Sequence, residues 1–367
     1  MRRLETIFIV IGVLFYVWFV HSLGLRSVYD HLRLVGWGLS VTIAMEALAR
    51  IANTLGWRAV IENCPRQLTF PRLFAARIAG EAVDYTTPSA QLGGQIVMAL
   101  MVRRELPIAA GLATVVIATF AEAMGQIGFI CGALLLSIRL AASFNQLFWP
   151  IVGGLAITIS LAAALFYVQK KRPFFHLWKA AARLDLPALA TIEVGRASEE
   201  ADQILSDFYR RNQFRLVISC LCYLFAWSLG PLEIYLLLSF LGQKPTVEVA
   251  LLTEALGLLI ERATFMIPAK LVSQEGGKAL ILGMLGYAPG IGFAVGFLRR
   301  IKELVWVLFG LSSLGIYRLG ESRSASPAAE RPLEAERSVA SSAQKVRNFK
   351  YENGIRDPDG ALAQRHR

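Results

Sequence analysis

Long apolar runs govern this sequence. Residues 7–25, 34–57, 107–138, 148–168, 214–241, 247–267 and 290–319 are rich in Leu, Ile, Val, Ala, Phe and Gly. Runs of this length match the ~20 helical residues that cross a bilayer core. The chain is 55% hydrophobic and only 18% charged, with a mean hydropathy of +0.50, a balance that soluble domains rarely reach. The two-residue alternation of a membrane β-barrel is absent from the pattern. The expected fold is therefore an all-α polytopic membrane protein of about seven to eight transmembrane helices.

The formal charge of +11 does not require nucleic acid. Cytoplasmic loops of membrane proteins collect Lys and Arg, and no basic stripe with interleaved aromatics occurs on a polar segment. No nucleic-acid partner is expected. Of the four cysteines, Cys131, Cys220 and Cys222 lie in apolar runs and Cys64 in a loop, in neither a disulfide nor a metal-ligand spacing. No metal and no cofactor are expected.

Residues 76–104 break the apolar pattern. They carry Arg77, Glu81, Asp84, Gln91 and Gln95, together with Pro88 and the Gly93, Gly94 pair. Carboxylates and amides in hydrocarbon cost several kcal/mol unless they find partners or a wet cavity. Pro and Gly interrupt a spanning helix, which is tolerated where the freed backbone faces protein or water. With Arg77 and Arg103, Arg104 both read as cytoplasmic, the stretch enters, turns near 88–94 and returns. That is a re-entrant helical hairpin with a polar turn at membrane depth.

The rest of the chain fits around it. Arg2 and Arg3 precede the first run, which reads as a retained helix with a cytoplasmic N-terminus. Glu46 and Arg50 stand four apart on one helical face and can pair. Pro107 opens a long helix with Glu122 near its middle and Gln126 one turn later. Lys170, Lys171 and Arg172 end the run at 148–168 on the cytoplasmic side. Residues 174–213 are polar, and their first part has apolar and basic faces suited to the headgroup surface, where His176 packs at the interface. Gly230 and Pro231 predict a kink beside Glu233. Residues 321–367 have no periodic apolar face and read as a disordered cytoplasmic tail after a membrane domain of residues 1–320.

An internal, inverted repeat is expected. Glu81, Pro88, Gly93 with Gly94, Pro107 and Glu122 recur in order as Glu261, Pro268, Gly276 with Gly277, Pro289 and Glu303. Paired interrupted segments in two halves are a sequence pointer to a transporter site. The second half would contribute Glu261, Arg262, Lys270, Gly276, Gly277, Arg299, Arg300 and Glu303 to that site.

These residues resemble a known family. Pro88, Gly93, Gly94 and Gln95, preceded by Gly80 and Glu81 and followed by Arg103, Arg104 and Glu105, are similar to the Pro-x(n)-Gly-Gly-Glu hallmark of the lysylphosphatidylglycerol synthase transmembrane-region, or flippase-like, family. Pro268 through Gly277 and the helix with Arg299, Arg300 and Glu303 resemble its second region. The resemblance covers about residues 7–319. It implies a multi-pass protein of the bacterial inner membrane, two re-entrant elements around a cavity, and lipid movement between leaflets. It also implies a link to hopanoid biosynthesis, with which some stand-alone members are associated. Where the family often has Glu after Gly-Gly, this chain has Gln95 and, in the second copy, Lys278. The short tail leads us to expect no soluble synthase half.

Three functions follow from this reading. A lipid flippase would take a phospholipid or hopanoid-type headgroup into a cavity lined by Glu81, Asp84, Gln91, Gln95, Glu261, Arg262 and Lys270. Arg77, Arg103, Arg299 and Arg300 would either draw phosphates at the membrane surface or anchor topology. A lipid-modifying transferase or phosphatase would use Glu81 and Asp84, three apart on one helical face, as acid and base. An assembly factor would gather lipid-biosynthesis enzymes. Without a nucleophile–His pairing, a metal cluster or a P-loop in the sequence, a non-enzymatic role is the expectation.

Overall fold

The chain enters its first described helix, α1 (Gly38–Val60), and ends it near Arg58. We describe a computed structural model over residues 36–62, 64–87, 92–137, 148–183, 192–263, 273–288 and 290–320. Helices α2 (Phe70–Thr86), α3 (Leu92–Met101), α4 (Ile108–Leu136), α5 (Phe148–Lys170), α6 (Pro173–Arg183), α7 (Ile192–Arg211), α8 (Gln213–Phe240), α9 (Val247–Ala263) and α10 (Ser273–Met284) follow. A further helix, α11, begins at 290 and runs to the end of the first compact unit, Met1–Leu314. In the second unit, Gly315–Arg367, the described residues 315–320 are helical. The described residues contain no strand. The expected first span at 7–25 and the tail at 321–367 lie outside them.

Among the described residues, α4, Val152–Gln169 within α5, and α8 are long and apolar enough to cross a membrane. The other helices are either interrupted by charge, as α1, α2, α7, α9 and α11 are, or too short, as α3, α6 and α10 are. In α11, Arg299, Arg300, Lys302 and Glu303 fall within five residues.

The break after α2 has a local cause. Thr87 precedes Pro88, and the proline ring pushes the preceding residue out of helical backbone. Thr87 is extended, at φ −119° and ψ 138°. The last carbonyls then take side-chain donors: Thr86 Oγ1 donates to Ala82 O at 2.9 Å and Thr87 Oγ1 to Val83 O at 2.7 Å. The chain returns as α3, packed antiparallel to α2. Arg72 and Glu105 close the base of this hairpin at 2.5 Å. Near its tip, Gly94 N–H donates to Asp84 Oδ1 at 2.7 Å. A Cβ on Gly94 would run into Gly80 O and the Asp84 carboxylate, so glycine sets how closely the arms approach.

The second half repeats the plan. A 17-residue helix, a break, a short helix and a long helix occur as α2, α3, α4 and again as α9, α10, α11. Small residues mark equivalent contacts. Gly111 of α4 packs on Ala99 of α3, and Gly292 of α11 packs on Ala279 of α10. Gly80 of α2 meets Met98, while Gly257 of α9 meets Lys278. This corrects the register read from the prolines. Gly80 matches Gly257, which aligns Arg77 with Glu254 and Asp84 with Glu261, rather than Glu81 with Glu261. Helix faces set the register, and a proline several residues away in a variable break does not.

The hairpins open at opposite ends of the bundle. At one end, Trp57 Nε1 donates to Thr114 Oγ1 at 3.4 Å, Ser219 Oγ to Gly56 O at 2.9 Å, and Arg215 to Ile61 O at 3.0 Å. The end of α1 and the starts of α4 and α8 meet there, beside the base of the first hairpin. At the other end, Leu237 and Leu238 of α8 pack with Val249 and Ala250 of α9 and Leu282 of α10, the base of the second hairpin. Helix α11 starts in that cluster and reaches back until Ser313 Oγ donates to Ala75 O at 3.3 Å.

The predicted kink site does not end α8, which is helical through Pro231. Gly132 of α4 has open space where a Cβ would stand. Gly132→Ala is expected to raise the melting temperature of the purified protein, by up to ~1 kcal/mol in stability, because glycine is the costlier residue in a helix interior.

Candidate functional site

Between the hairpins lies a cavity of about 350 Å³. Of the residues named from sequence, Arg77, Glu81, Asp84, Gln95, Glu122, Glu261, Arg299 and Glu303 line it. Helices α1, α2, α3, α4, α8, α9 and α11 all contribute to its wall.

Ten charged side chains of alternating sign form one continuous chain beside it. Glu122 holds Arg77 at 2.8 Å, and Arg77 holds Glu81 at 2.7 Å. Glu81 pairs with Arg50, which holds Glu46 at 3.0 Å. Glu46 takes Lys302 at 2.7 Å, and Lys302 takes Glu233 at 2.7 Å. Glu233 lies 3.1 Å from Arg299, which grips both oxygens of Glu254 at 2.7 and 3.0 Å. Glu254 ends on Lys278 at 3.1 Å. The chain is neutral, five against five, and runs from the first repeat to the second. Buried charges survive at such depth when each is paired and the pairs share hydrogen bonds. Arg77 gains a further acceptor in Tyr223 OH at 3.2 Å, and its guanidinium lies 5.5 Å from that ring. Arg50 sits 5.0 Å from the Trp306 ring.

The repeat-related arm positions, Arg77 and Glu254, carry opposite signs, and the long helices answer them one turn apart in register, where Glu122 matches Glu303 and Arg299 matches Ala118. In the first half the hairpin arm supplies the cation, Arg77, and the long helix the acid, Glu122. In the second half the arm supplies the acid, Glu254, and the long helix the cation, Arg299. A second buried pair sits nearby: Arg300 donates to both oxygens of Glu275 at 2.8 and 2.9 Å and to Tyr85 OH at 2.9 Å.

These positions correct the reading of three arginines. Arg77, Arg299 and Arg300 are 6%, 9% and 0% exposed, so they are neither surface anchors nor surface collectors of phosphate. Arg77 has one near partner, Glu81, but Glu122 and Tyr223 lie 45 and 146 residues away, and the partners of Arg299 and Arg300 are 25 or more residues distant, so sequence alone did not mark these arginines as buried. The hairpin base is marked by Arg72 instead. Arg103 is exposed near that base. Lys278, at the position after the second Gly-Gly, is 2% exposed and paired, while Gln95 donates to Thr119 Oγ1 at 3.1 Å. Gly93 is buried, Gly276 is exposed, and a Cβ on Gly277 would meet Ile260 only at an ordinary 3.5 Å. Pro88, Gln91, Pro268 and Lys270 lie outside the described residues, and Arg262 is placed only as part of α9.

Glu81 and Asp84 share a helix but do different work. Glu81 joins two arginines, and Asp84 holds the hairpin tip. Sequence reading passed over Glu46, Arg50, Glu233, Glu254, Lys278 and Lys302 as site residues. A lone acid such as Glu233 inside an apolar run was the available clue. Among the described residues, no group of three or more His, Cys, Asp or Glu side chains is placed to hold a metal ion.

Apolar helices of bilayer length, enclosing a charged cavity between two helical hairpins, define a polytopic membrane protein with a polar interior. The chain matches the family described as the lysylphosphatidylglycerol synthase TM region over residues 6–311, and it belongs to that family. Membership ties it to membrane lipids. Neither the curated proteins nor the solved structures compared with it give a match.

Proposed function

We propose that the protein moves a lipid between leaflets of the bacterial inner membrane, with the headgroup passing through the charged cavity. The observation that carries this is the cavity itself, set between two hairpins that open at opposite ends of the bundle. Each hairpin would be re-entrant, its tip at membrane depth. Taken as crossings, α1, α4, α5, α8 and α11 would alternate in direction, with α1 and α11 ending at the same face. The end that carries Arg58, Arg66, Arg72, Arg103 and Arg104 would face the cytoplasm, as the positive-inside rule requires.

A headgroup entering the cavity exchanges water for protein charges. Its phosphate can replace a carboxylate on Arg50 or Arg77, and an ammonium group can replace a cation on Glu81 or Glu122. Such stepwise exchange avoids leaving a charge bare in low dielectric. The cavity wall carries eight acidic side chains against four basic ones. A headgroup bearing an amine therefore fits better than a bare anion. Acyl chains, or the ring system of a hopanoid-type lipid, would remain in the bilayer.

Reconstituted protein should move fluorescent phospholipid across liposome leaflets, and Glu81→Gln should slow that movement about tenfold, the effect of ~1.4 kcal/mol. Unaltered movement with Glu81, Asp84 and Glu261 all neutralised would sink the proposal and favour an assembly role. Lipid modification lost in Glu81→Gln with movement intact would favour an enzyme. Cysteine labelling across 89–95 should reach both flanks of the first hairpin from the cytoplasmic side alone.

A further inference from the structure

The junction of α5 and α6 has a second, separate pocket. Helix α5 ends at Lys170 and α6 begins at Pro173. The chain turns there through Arg172 at φ 53°, a left-handed conformation that costs a non-glycine residue roughly 1–2 kcal/mol. The turn is held from below. Asp202 of α7 accepts from Phe174 N–H at 3.2 Å and Phe175 N–H at 2.9 Å, the first free donors of α6. Helix α7 is anchored in turn, with Ala201 packed against Ala109 and Ala113 of α4. His176 Nδ1–H donates to Arg172 O at 2.9 Å and ties the elbow to its own helix.

The pocket in this elbow measures about 310 Å³ and is lined by Tyr167, Val168, Lys171, Pro173, His176 and Leu177. Its walls are apolar, and Leu177 is 67% exposed and Tyr167 62%. Its rim is cationic: Lys171 Nζ stands 5.0 Å from the Tyr167 ring, and Arg172 is exposed beside it. An aromatic side chain at the end of an apolar helix marks the boundary of acyl chains and headgroups. The elbow also lies at the arginine-rich end of the bundle, since Phe174 packs against the cluster of Ala109 and Ala113 in the first two turns of α4.

We infer that the elbow binds an anionic glycerophospholipid, with an acyl chain against Val168, Pro173 and Leu177 and the phosphate at Lys171 and Arg172. Charge complementarity selects the occupant. Cations next to a membrane surface attract anionic lipid, and an apolar groove directly beneath them accepts the chain that such a lipid carries. The site is distinct from the central cavity and shares no lining residue with it. It would hold a lipid in place rather than carry one across.

The test uses the full chain in nanodiscs of phosphatidylglycerol or phosphatidylcholine, with retained lipid counted by native mass spectrometry after extraction. Wild type should keep one phosphatidylglycerol and no phosphatidylcholine. The double variant Lys171→Gln, Arg172→Gln should weaken retention roughly 10- to 30-fold, as two surface cations are removed. Leu177→Asp should do the same by spoiling the groove, while Gly132→Ala, on open space in α4 and in neither pocket, should leave retention unchanged. Equal retention of both lipids, or full retention in the double variant, overturns the inference. So does loss in the double variant with none in Leu177→Asp, which would leave only a diffuse basic patch. Displacement by millimolar inorganic phosphate would point to a bare anion site and likewise overturn it. Unchanged melting temperatures guard against misfolded variants. Absence of lipid movement by the wild-type protein with elbow binding intact would count against the transport proposal alone.

Discussion

Arg299→Met is expected to lower the stability of the purified protein by about 3–5 kcal/mol, among the largest effects of any single substitution. Arg299 grips both oxygens of Glu254 and reaches Glu233 at 3.1 Å, and both acids are nearly buried. Without it, Glu254 keeps Lys278 and Glu233 keeps Lys302. Each acid would then be served by one ammonium group, which cannot match a two-pronged guanidinium. Against the ~5–15 kcal/mol that holds a typical domain together, such a loss is severe. Thermal unfolding in detergent, followed by tryptophan fluorescence, would read it directly. Arg299→Lys should fall between wild type and Arg299→Met. Pairing Arg299→Met with Glu254→Gln should recover part of the loss, because the acid is no longer left charged. A melting point for Arg299→Met within about one degree of wild type would mean that the ionic chain does not support the fold.

Gly94→Val should abolish lipid movement while costing about 1–3 kcal/mol of stability, the usual range for overpacking. The new side chain would meet Gly80 O and the Asp84 carboxylate, and neither can step aside without opening the hairpin. The Gly94 N–H bond to Asp84 would be lost with it. Wild-type rates of movement in liposomes would separate the hairpin from function. Gly132→Ala, on open space in α4, is the matched control and should leave movement intact.

Much of the first hairpin was legible before any coordinates. Pro88 forces Thr87 out of the helix, and that rule acts on adjacent residues. Gly93 and Gly94 read as part of the break but lie inside α3, where Gly94 sets the close approach of the arms, while Glu81, Asp84, Gln95 and Glu122 stood out because polar groups in apolar runs are costly. These residues do line the cavity, Gly93 and Gly94 excepted. The second half was harder to read. Its register was off by three residues, since Glu261 aligns with Asp84. Its central acid, Glu254, was not assigned to the site because the partner that explains it, Arg299, lies 45 residues on.

The arginines show the limit most clearly. A positive-inside rule sees charge and sequence, and it placed Arg77, Arg299 and Arg300 at the surface. Only a bundle that brings Tyr85 to Arg300 across 215 residues can bury that guanidinium. By itself, then, the chain determined its helices, their breaks and its need for a polar interior, because propensity, proline sterics and desolvation all act locally. Tertiary structure alone decided which charges meet, which end each hairpin faces and which side chains line the cavity. Pairing energy depends on distances between helices, and no stretch of sequence contains those distances.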